Sequence, residues 1–322
     1  MGETQIPVIE IEAFRLGRPR GVDVSARVRN ACETIGFFFI TGHGVPAGVI
    51  DELMKQARLF FDRSPEEKSK IGRTGTNFGG PIYTPLEAES LAATLGQQGL
   101  ADLKECIDAG PRFLGDRWPI ECGDLAQAWH RANGEFCDLA AVLRALFADA
   151  MGLPKDGFEP AFDRHSSSMR VLNYPEIASP LKPGQVRAGV HTDYGAFTIL
   201  RGDDTPGLQV RRRDGAWINA PAIPDSFVVN IGDALMRWTN DRWVSTPHRV
   251  VGTTGDGASA RRQSAAFFHN PSPDTVIECL PPFLPEDGKG SYPPITYQSY
   301  AEQRFQQSHN SSAPLVIDTR RQ

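Results

Sequence analysis

The spacing of apolar residues changes character about halfway along the chain. In the first half, apolar positions recur every three to four residues, as in residues 46–61 and 126–151, which is the spacing of amphipathic helices. After residue 169 the apolar runs become short and are separated by Gly, Pro and Asp. Many short strands punctuated in this way are typical of a double-sheet β architecture such as a jelly roll. The sequence therefore predicts a helix-rich N-terminal half packed on a β core.

Short apolar runs mark the predicted strands. A fully apolar run at residues 36–40 is typical of a buried strand, and residues 6–9 form a short opening strand. Residues 72–86, rich in Gly, Thr and Pro, are predicted as loop, and a polar helical segment closes the chain near residues 297–307. The remaining predicted strands are residues 169–174, 188–191, 196–200, 208–211, 227–231, 248–251 and 264–268.

Charge and cysteine content narrow the class of function. The 322 residues carry a net charge of −5 and no extended basic run, so no nucleic-acid partner is expected. The five cysteines show no close pair of the kind that zinc or redox motifs need, which favours reduced thiols and a cytoplasmic location. There is no leader-like N-terminus and no run long enough for a membrane span. The expected partner is a small molecule, and the oligomeric state stays open.

A histidine and a carboxylate stand two residues apart at the end of a predicted strand. Side chains at positions i and i+2 of a strand point to the same side, so His191 and Asp193 are presented together. This short motif alone is weak, but His248 begins another predicted strand 57 residues later. Two imidazoles and one carboxylate on one face of a metal form the ligand set of Fe(II) oxygenases. Catalytic zinc remains an alternative, whereas structural zinc would need four closed ligands.

A second pair of polar residues follows His248 by 14 positions. Arg262 and Ser264 again stand at i and i+2, so they share one face of the predicted strand. A guanidinium can hold a carboxylate with two parallel charge-assisted hydrogen bonds, and a hydroxyl adds a third. The pair therefore predicts a clasp for one end of a planar dicarboxylate whose other end reaches the metal.

Together these motifs resemble the 2-oxoglutarate- and Fe(II)-dependent oxygenase superfamily, in its isopenicillin N synthase-like branch. The resemblance spans nearly the whole chain and is specific because several short motifs occur in matching order. The segments that carry it are residues 36–45, 102–105, 174–175, 191–195, 230–233, 245–249, 262–264 and 292–296.

The resemblance implies a mixed, mainly β fold: a double-stranded β-helix (jelly roll, cupin-like) formed by residues 121–322 with a C-terminal helix. Residues 1–120 would form the helix-rich region packed on it, the whole being one compact unit. Fe(II) would be bound by His191, Asp193 and His248. Arg262 and Ser264 would hold the distal carboxylate of 2-oxoglutarate, with a further hydrogen bond from Tyr174.

The implied reaction couples oxidative decarboxylation of 2-oxoglutarate by O2, giving succinate and CO2, to oxidation of an unactivated C–H bond in a small, mostly apolar metabolite. Because relatives without 2-oxoglutarate also carry the Arg-x-Ser pair, an Fe(II) oxidase or cyclase of the same fold is the alternative. A non-catalytic ligand-binding relative is a further one. A closing lid is expected, with residues 72–85 as the candidate loop. Aromatic candidates for the substrate pocket are Phe78, Tyr83, Phe113, Phe197, Trp238 and Phe268.

Overall fold

The helices follow the amphipathic stripes of the sequence. A computed structural model describes residues 6–18, 23–71, 81–95, 100–110, 118–177, 182, 184–252 and 259–308. Within these residues, no helix is both long and apolar enough to cross a bilayer. The helices are α1 Glu12–Arg15, α2 Val24–Thr34, α3 Ala47–Phe61, α4 Pro65–Ser69, α5 Gly123–Met151, α6 Glu159–Phe162, α7 Asp233–Trp238 and α8 Tyr297–Ser308.

The strands confirm the predicted change from helices to many short strands after residue 169. Every strand predicted there is present, most with bounds within two residues of those predicted. The strands are β1 Val8–Glu10, β2 Phe37–Thr41, β3 Ile82–Thr84, β4 Glu105–Ala109, β5 Ser168–Tyr174, β6 Ala188–His191, β7 Phe197–Gly202, β8 Leu208–Arg211, β9 Trp217–Asn219, β10 Phe227–Ile231, β11 His248–Val250, β12 Arg262–His269, β13 Val276–Ile277 and β14 Ile295–Thr296.

Two sheets build the β core. The large sheet has the order β1-β2-β10-β7-β12-β5-β4-β3, and the smaller one has the order β6-β11-β8-β9. Apart from the parallel β1–β2 pair, neighbouring strands in both sheets are antiparallel. Non-consecutive neighbours reflect the crossovers between sheets that define a jelly roll. The predicted fold class, a jelly-roll core with a helix-rich N-terminal region, is confirmed.

The two faces of the large sheet have different neighbours because successive side chains of a strand alternate. On one face, Val171 of β5 and Phe267 of β12 belong to an apolar core shared with α2, α3 and α5, where Phe267 stacks on Phe136 with ring centroids 5.5 Å apart. On the other face, Leu172 and Ala266 belong to a second apolar cluster shared with the small sheet. The space between the two sheets can therefore hold a binding site.

Strands β3 and β4 correct the predicted loop at residues 72–86 and add a strand that the sequence does not suggest. Strand β3, Ile82–Thr84, lies inside that loop and pairs with β4, which in turn pairs with β5. Strand β4 begins with a charged residue, Glu105. In the fold, Glu105 is buried and pairs with Lys68, with Nζ 2.8 Å from the carboxylate. Ion pairing thus satisfies a charge inside a buried strand.

Candidate active site

Three side chains that could bind a metal ion meet where the small sheet faces the large one. Strand β6 ends in His191 and β11 begins with His248, and the two residues are direct cross-strand partners with ring centroids 4.2 Å apart. Asp193 follows β6, with Oδ1 4.0 Å from Nε2 of His191 and 3.9 Å from Nε2 of His248. The three ligand atoms all lie within 4.8 Å of one another. The sequence motifs, distant in the chain, are therefore brought together as predicted.

Backbone carbonyl groups fix the orientation of both imidazoles. Nδ1 of His191 lies 2.8 Å from the carbonyl oxygen of Gly189, and Nδ1 of His248 lies 3.1 Å from that of Thr246. A carbonyl can only accept, so each Nδ1 carries the proton and donates it. Each Nε2 is then an acceptor aimed at the shared point, which is the tautomer that a metal requires.

The carboxylate of Asp193 is divided between two roles. Its Oδ2 accepts hydrogen bonds from Thr198 Oγ1 at 2.5 Å and from Asn230 Nδ2 at 2.7 Å. Oδ1 is left to face the two imidazoles. Strands β7 and β10 of the large sheet supply the two donors, so this sheet holds the carboxylate while the small sheet supplies the histidines.

Burial and nearby charges shift the pKa values of His191 and Asp193. Burial, together with the charge of His248, lowers the pKa of His191 to about 3. Burial alone would raise the pKa of Asp193, but the charges of His248 and His191 and the two hydrogen bonds leave it below its ordinary value. Imidazole nitrogens together with an ionised carboxylate suit a divalent transition metal, and three ligands from the described residues leave coordination positions open. The donor set therefore fits Fe(II).

Arg262 and Ser264 of β12 lie deeper in the same space, both buried. Arg262 Nη1 donates to Ser264 Oγ at 3.2 Å, and its guanidinium lies 5.1 Å from the ring centroid of its cross-strand partner Tyr174. Nε of Arg262 donates to the Thr205 carbonyl at 3.3 Å. Among the described residues, no carboxylate lies within ion-pair distance of this guanidinium. A buried cation without an anion fits a dicarboxylate cosubstrate.

A cavity of about 310 Å³ joins the two groups. Its wall includes the three candidate metal ligands, Arg262, Ser264 and Tyr174, together with Phe268 from the aromatic residues proposed as pocket candidates. Phe78 and Phe113 lie outside the described residues, as do residues 72–80 of the proposed lid.

The other three aromatic candidates are corrected because they do not line this cavity. Phe197 and Trp238 are buried in the helix-covered core, Phe197 against Phe147 and Trp238 against Phe158. Strand alternation explains why Phe197 points into the core, since its neighbour Thr198 is the residue that faces Asp193. Tyr83 is half-buried on β3, and its hydroxyl donates to Glu105 at 2.5 Å.

Several cavity residues escape the sequence argument. Phe37 and Tyr194 line the cavity, and so do Glu89, Asp108 and Arg170. The sequence does hold a signal for Arg170: it stands on β5 at an even spacing from Tyr174, which places both on one face. No local pattern singles out Glu89 or Asp108. The position of Asp108 depends on how β4 pairs with β5, and Glu89 lies outside the strands, between β3 and β4.

Comparison with known proteins gives consistent matches. The family model of the 2OG-Fe(II) oxygenase superfamily matches residues 166–271, and the model of the non-haem dioxygenase in morphine synthesis N-terminal region matches residues 6–122. The 2-oxoglutarate-Fe(II) type oxidoreductase hxnY of Emericella nidulans is 30% identical, over 96% of this chain and 92% of that protein. The 2-oxoglutarate-dependent dioxygenase tropC of Talaromyces stipitatus is 32% identical, over 90% of this chain and 92% of that protein.

Solved structures agree with these relatives. A full-length Neurospora crassa protein, solved in complex with alpha-KG, superposes with a TM-score of 0.80 at 29% identity, covering 94% of this chain and 97% of that chain. JOX2 in complex with 2OG, Fe and JA superposes with a TM-score of 0.77 at 27% identity, covering 92% of this chain and 84% of that chain.

Proposed function

We propose that this chain, which belongs to the 2-oxoglutarate- and Fe(II)-dependent oxygenase superfamily, binds Fe(II) through His191, Asp193 and His248. It is a non-haem dioxygenase that uses 2-oxoglutarate and O2 to oxidise a small molecule. In our proposal, Arg262 and Ser264 hold the distal carboxylate of 2-oxoglutarate. When bound, Fe(II) and 2-oxoglutarate would activate O2 to oxidise an unactivated C–H bond, and succinate and CO2 would be released.

One observation carries the assignment of the metal ligands. Nε2 of His191, Nε2 of His248 and Oδ1 of Asp193 converge within 4.8 Å, while the second donor atom of each side chain is already hydrogen-bonded within the protein. Among the residues that the structure describes, no group other than the three side chains themselves accounts for this convergence, and a bound cation would explain it. This is the arrangement expected of a site whose ligands are oriented by outer-shell contacts.

The protein's own contribution is to bind, orient and exclude water. Asn230 and Thr198 fix the Asp193 carboxylate, so it need not reorganise when metal arrives. Arg262, buried and facing Ser264, offers a preformed anion site at a fixed distance from the metal point. Apolar side chains, among them Leu172 and Leu200, line the space between and keep it dry.

The substrate in this proposal is a small metabolite with a largely apolar body, hydroxylated or desaturated at one carbon. Phe37, Phe268 and Leu91 are among the apolar residues of the cavity wall. Related structures support a small-molecule substrate, since the Neurospora crassa protein was also solved with thymine and JOX2 with JA. The cavity volume of about 310 Å³ suits a cosubstrate and a substrate of that size.

The direct test is consumption of O2 and formation of succinate by the full chain with Fe(II), with and without 2-oxoglutarate. We expect succinate to form only with 2-oxoglutarate and to be abolished in Asp193→Ala. The matched control is Asp274→Ala, which removes an exposed carboxylate paired with Arg164. O2 uptake that does not depend on 2-oxoglutarate would instead identify an oxidase or cyclase. Full activity of Asp193→Ala would refute the assignment of the metal ligands.

We place the enzyme in the cytoplasm. All five cysteines are free thiols, and Cys32, Cys106 and Cys122 are buried. A disulfide-free chain with several thiols is typical of a reducing compartment.

A further inference from the structure

A charged cluster forms one wall of the cavity away from the proposed metal and cosubstrate groups. Arg170 of β5 donates from Nε to Asp108 at 2.6 Å and from Nη1 and Nη2 to the two carboxylate oxygens of Glu89 at 3.2 and 3.3 Å. Ser168 stands two residues before Arg170 on the same face of β5, and all four residues line the cavity. We call Glu89, Asp108, Ser168 and Arg170 the polar wall.

The polar wall has a fixed position. Lys104, which is buried, pairs with Glu89 at 3.0 Å and with Asp102 at 2.9 Å. Asp102 in turn accepts a hydrogen bond at 2.8 Å from the amide of Gly189, two residues before His191. The wall is thus connected through buried ion pairs to the strand that carries a proposed metal ligand, which keeps its geometry preorganised.

The polar wall also lies at a distance that suits a substrate. Tyr174, beside the proposed cosubstrate clasp, and Arg170 are on the same strand and the same face, four residues apart, or about 13 Å at the usual strand rise. The cross-strand partner of Arg170 is Ala266, whose small side chain leaves room beside the guanidinium. A cosubstrate at one end of β5 and a substrate at the other do not compete for space.

Hydrogen-bonding capacity remains unused on this wall. Three of the five N–H groups of Arg170 are engaged, so two are left for a ligand. Asp108 Oδ2 accepts only a weak contact from Cys106 Sγ at 3.6 Å, and Ser168 Oγ makes no hydrogen bond, counting all residues that the structure describes. Arg170 therefore offers unused donors and Asp108 an acceptor within one wall of the cavity.

The charges on and behind the wall select against ionised ligands. A substrate anion would have to compete with Glu89 and Asp108 for Arg170, and a substrate cation would lie beside that guanidinium. Either contact brings like charges together in a partly dry cavity, which is costly. A neutral group that accepts from Arg170 and donates to Asp108 meets no such repulsion.

We propose that the polar wall is the substrate-recognition subsite and takes a neutral carbonyl oxygen next to an N–H, as in an amide, lactam or ureide. This inference rests on the proposed function, because it assigns the polar end of the substrate of that site. The apolar body of the substrate lies against Phe268 and Leu172. Arg170, Asp108 and Ser168 are then specificity-determining residues.

The test measures binding of four fragments to the full chain under argon, with Fe(II) and 2-oxoglutarate present, by isothermal titration calorimetry. The fragments are 2-pyridone, N-methyl-2-pyridone, benzoate and benzylamine. We expect 2-pyridone to bind at least about tenfold more tightly than the other three, because each leaves a buried donor or acceptor unpaired or adds a charge. Arg170→Lys, Asp108→Ala and Ser168→Ala should each reduce that preference, with affinity for 2-oxoglutarate unchanged.

The matched control is Arg144→Lys. Arg144 forms the same two-pronged pair with Glu159, at 3.0 and 2.8 Å, but does not line the cavity. It should leave the fragment preference intact. Ser168→Ala removes one hydroxyl and no charge, so it provides the comparison even if a variant in the ion-pair network fails to fold.

The outcomes separate the two proposals. Equal binding of 2-pyridone and its N-methyl derivative, tighter binding of benzoate or benzylamine, no binding of any fragment, or an unchanged preference in all three variants would overturn the assignment of the polar wall. A wild-type chain that does not bind 2-oxoglutarate would instead overturn the proposed function, and that titration is read without any fragment.

Discussion

The two faces of strand β12 have opposite relations to the rest of the protein. On the cavity face, the buried guanidinium of Arg262 meets no carboxylate among the described residues. On the core face, Phe267 stacks on Phe136, and both ring nitrogens of His269 are hydrogen-bonded, to Ser167 at 2.9 Å and Arg144 at 3.1 Å. One face is complete without a ligand and the other is not. Because side chains alternate, one strand can stabilise the fold with one face and carry the proposed cosubstrate clasp on the other.

The largest effect on stability is expected from removing a large side chain on the core face. Phe267→Ala should lower the free energy of unfolding by about 3–5 kcal/mol, because it deletes a fully buried ring and leaves a cavity against α5. Urea denaturation measures this. Affinity for 2-oxoglutarate, measured well below the transition, should stay within about threefold of wild type.

Phe268 is the matched control for this prediction. It is the next residue, half-buried on the cavity face. Phe268→Ala should cost clearly less stability and affect substrate turnover instead. If the two variants lost equal stability, the two faces would not be separated in the way described.

On the cavity face, Arg262→Leu should raise the KM for 2-oxoglutarate about a hundredfold. The loss corresponds to about 2.7 kcal/mol, within the range for hydrogen bonds to a charged group. Initial-rate kinetics of succinate formation give the KM. Arg261→Leu is the control, since Arg261 points away to Asn173 and Asp62 and should leave the KM unchanged. Equal KM values for Arg262→Leu and wild type would contradict the clasp.

A neighbouring strand extends the comparison to the proposed metal ligands. Asn230→Ala on β10 removes the donor 2.7 Å from Asp193 Oδ2, and metal affinity should fall about tenfold, as for other outer-shell contacts. Competition with a coloured chelator measures the affinity. Asn219→Ala, at an exposed position bonded to Gln209, should have no effect. Unchanged affinity in Asn230→Ala would mean that this hydrogen bond does not orient the carboxylate.

The smallest effect concerns pH and the core face. Burial, then the charges of Arg144 and His165, hold the pKa of His269 well below its ordinary value of 6.5. Below about pH 6.5, His269 therefore binds a proton in the unfolded chain but not in the folded one. The free energy of unfolding falls as the pH drops through this range. The slope is up to about 1.4 kcal/mol per pH unit.

His269→Gln should flatten this pH dependence, because the unfolded state then gains one proton fewer. Urea denaturation at a series of pH values between about 5 and 7 provides the measurement. The 2-oxoglutarate affinity at neutral pH should not change, since His269 does not line the cavity. An identical slope in the variant would show that His269 is already protonated in the folded protein, or that a different group causes the pH dependence.

The sequence predicts the grouping of the proposed metal ligands well because each motif is local. A spacing of two residues places Arg262 and Ser264 on one face of β12, and it places Asp193 just past the end of β6, close to His191. Most strands after residue 169 are also readable, since apolar runs and turn residues mark them. The family resemblance then orders these pieces into one fold.

The polar wall could not be predicted in this way. Strand β4 escapes prediction because Glu105 and Asp108 make it look like a solvent segment, and only pairing with Lys68 and Arg170 reveals a buried strand. Proximity in sequence is also misleading for Phe197, which faces the core because alternation turns it away from Asp193. The proposed substrate contacts depend on how β4 pairs with β5, which no local motif marks, whereas short motifs mark each proposed metal ligand before the β6–β11 pairing brings them together.

The central claim is that His191, Asp193 and His248 hold one Fe(II) with positions free for 2-oxoglutarate. Titrating 2-oxoglutarate into the Fe(II)-loaded chain under argon tests it directly, by visible absorption. We predict a weak charge-transfer band that saturates at one 2-oxoglutarate per chain, is absent in His248→Ala, and needs much higher 2-oxoglutarate in Arg262→Leu. No band in the wild type, or an undiminished band in His248→Ala, would contradict the account.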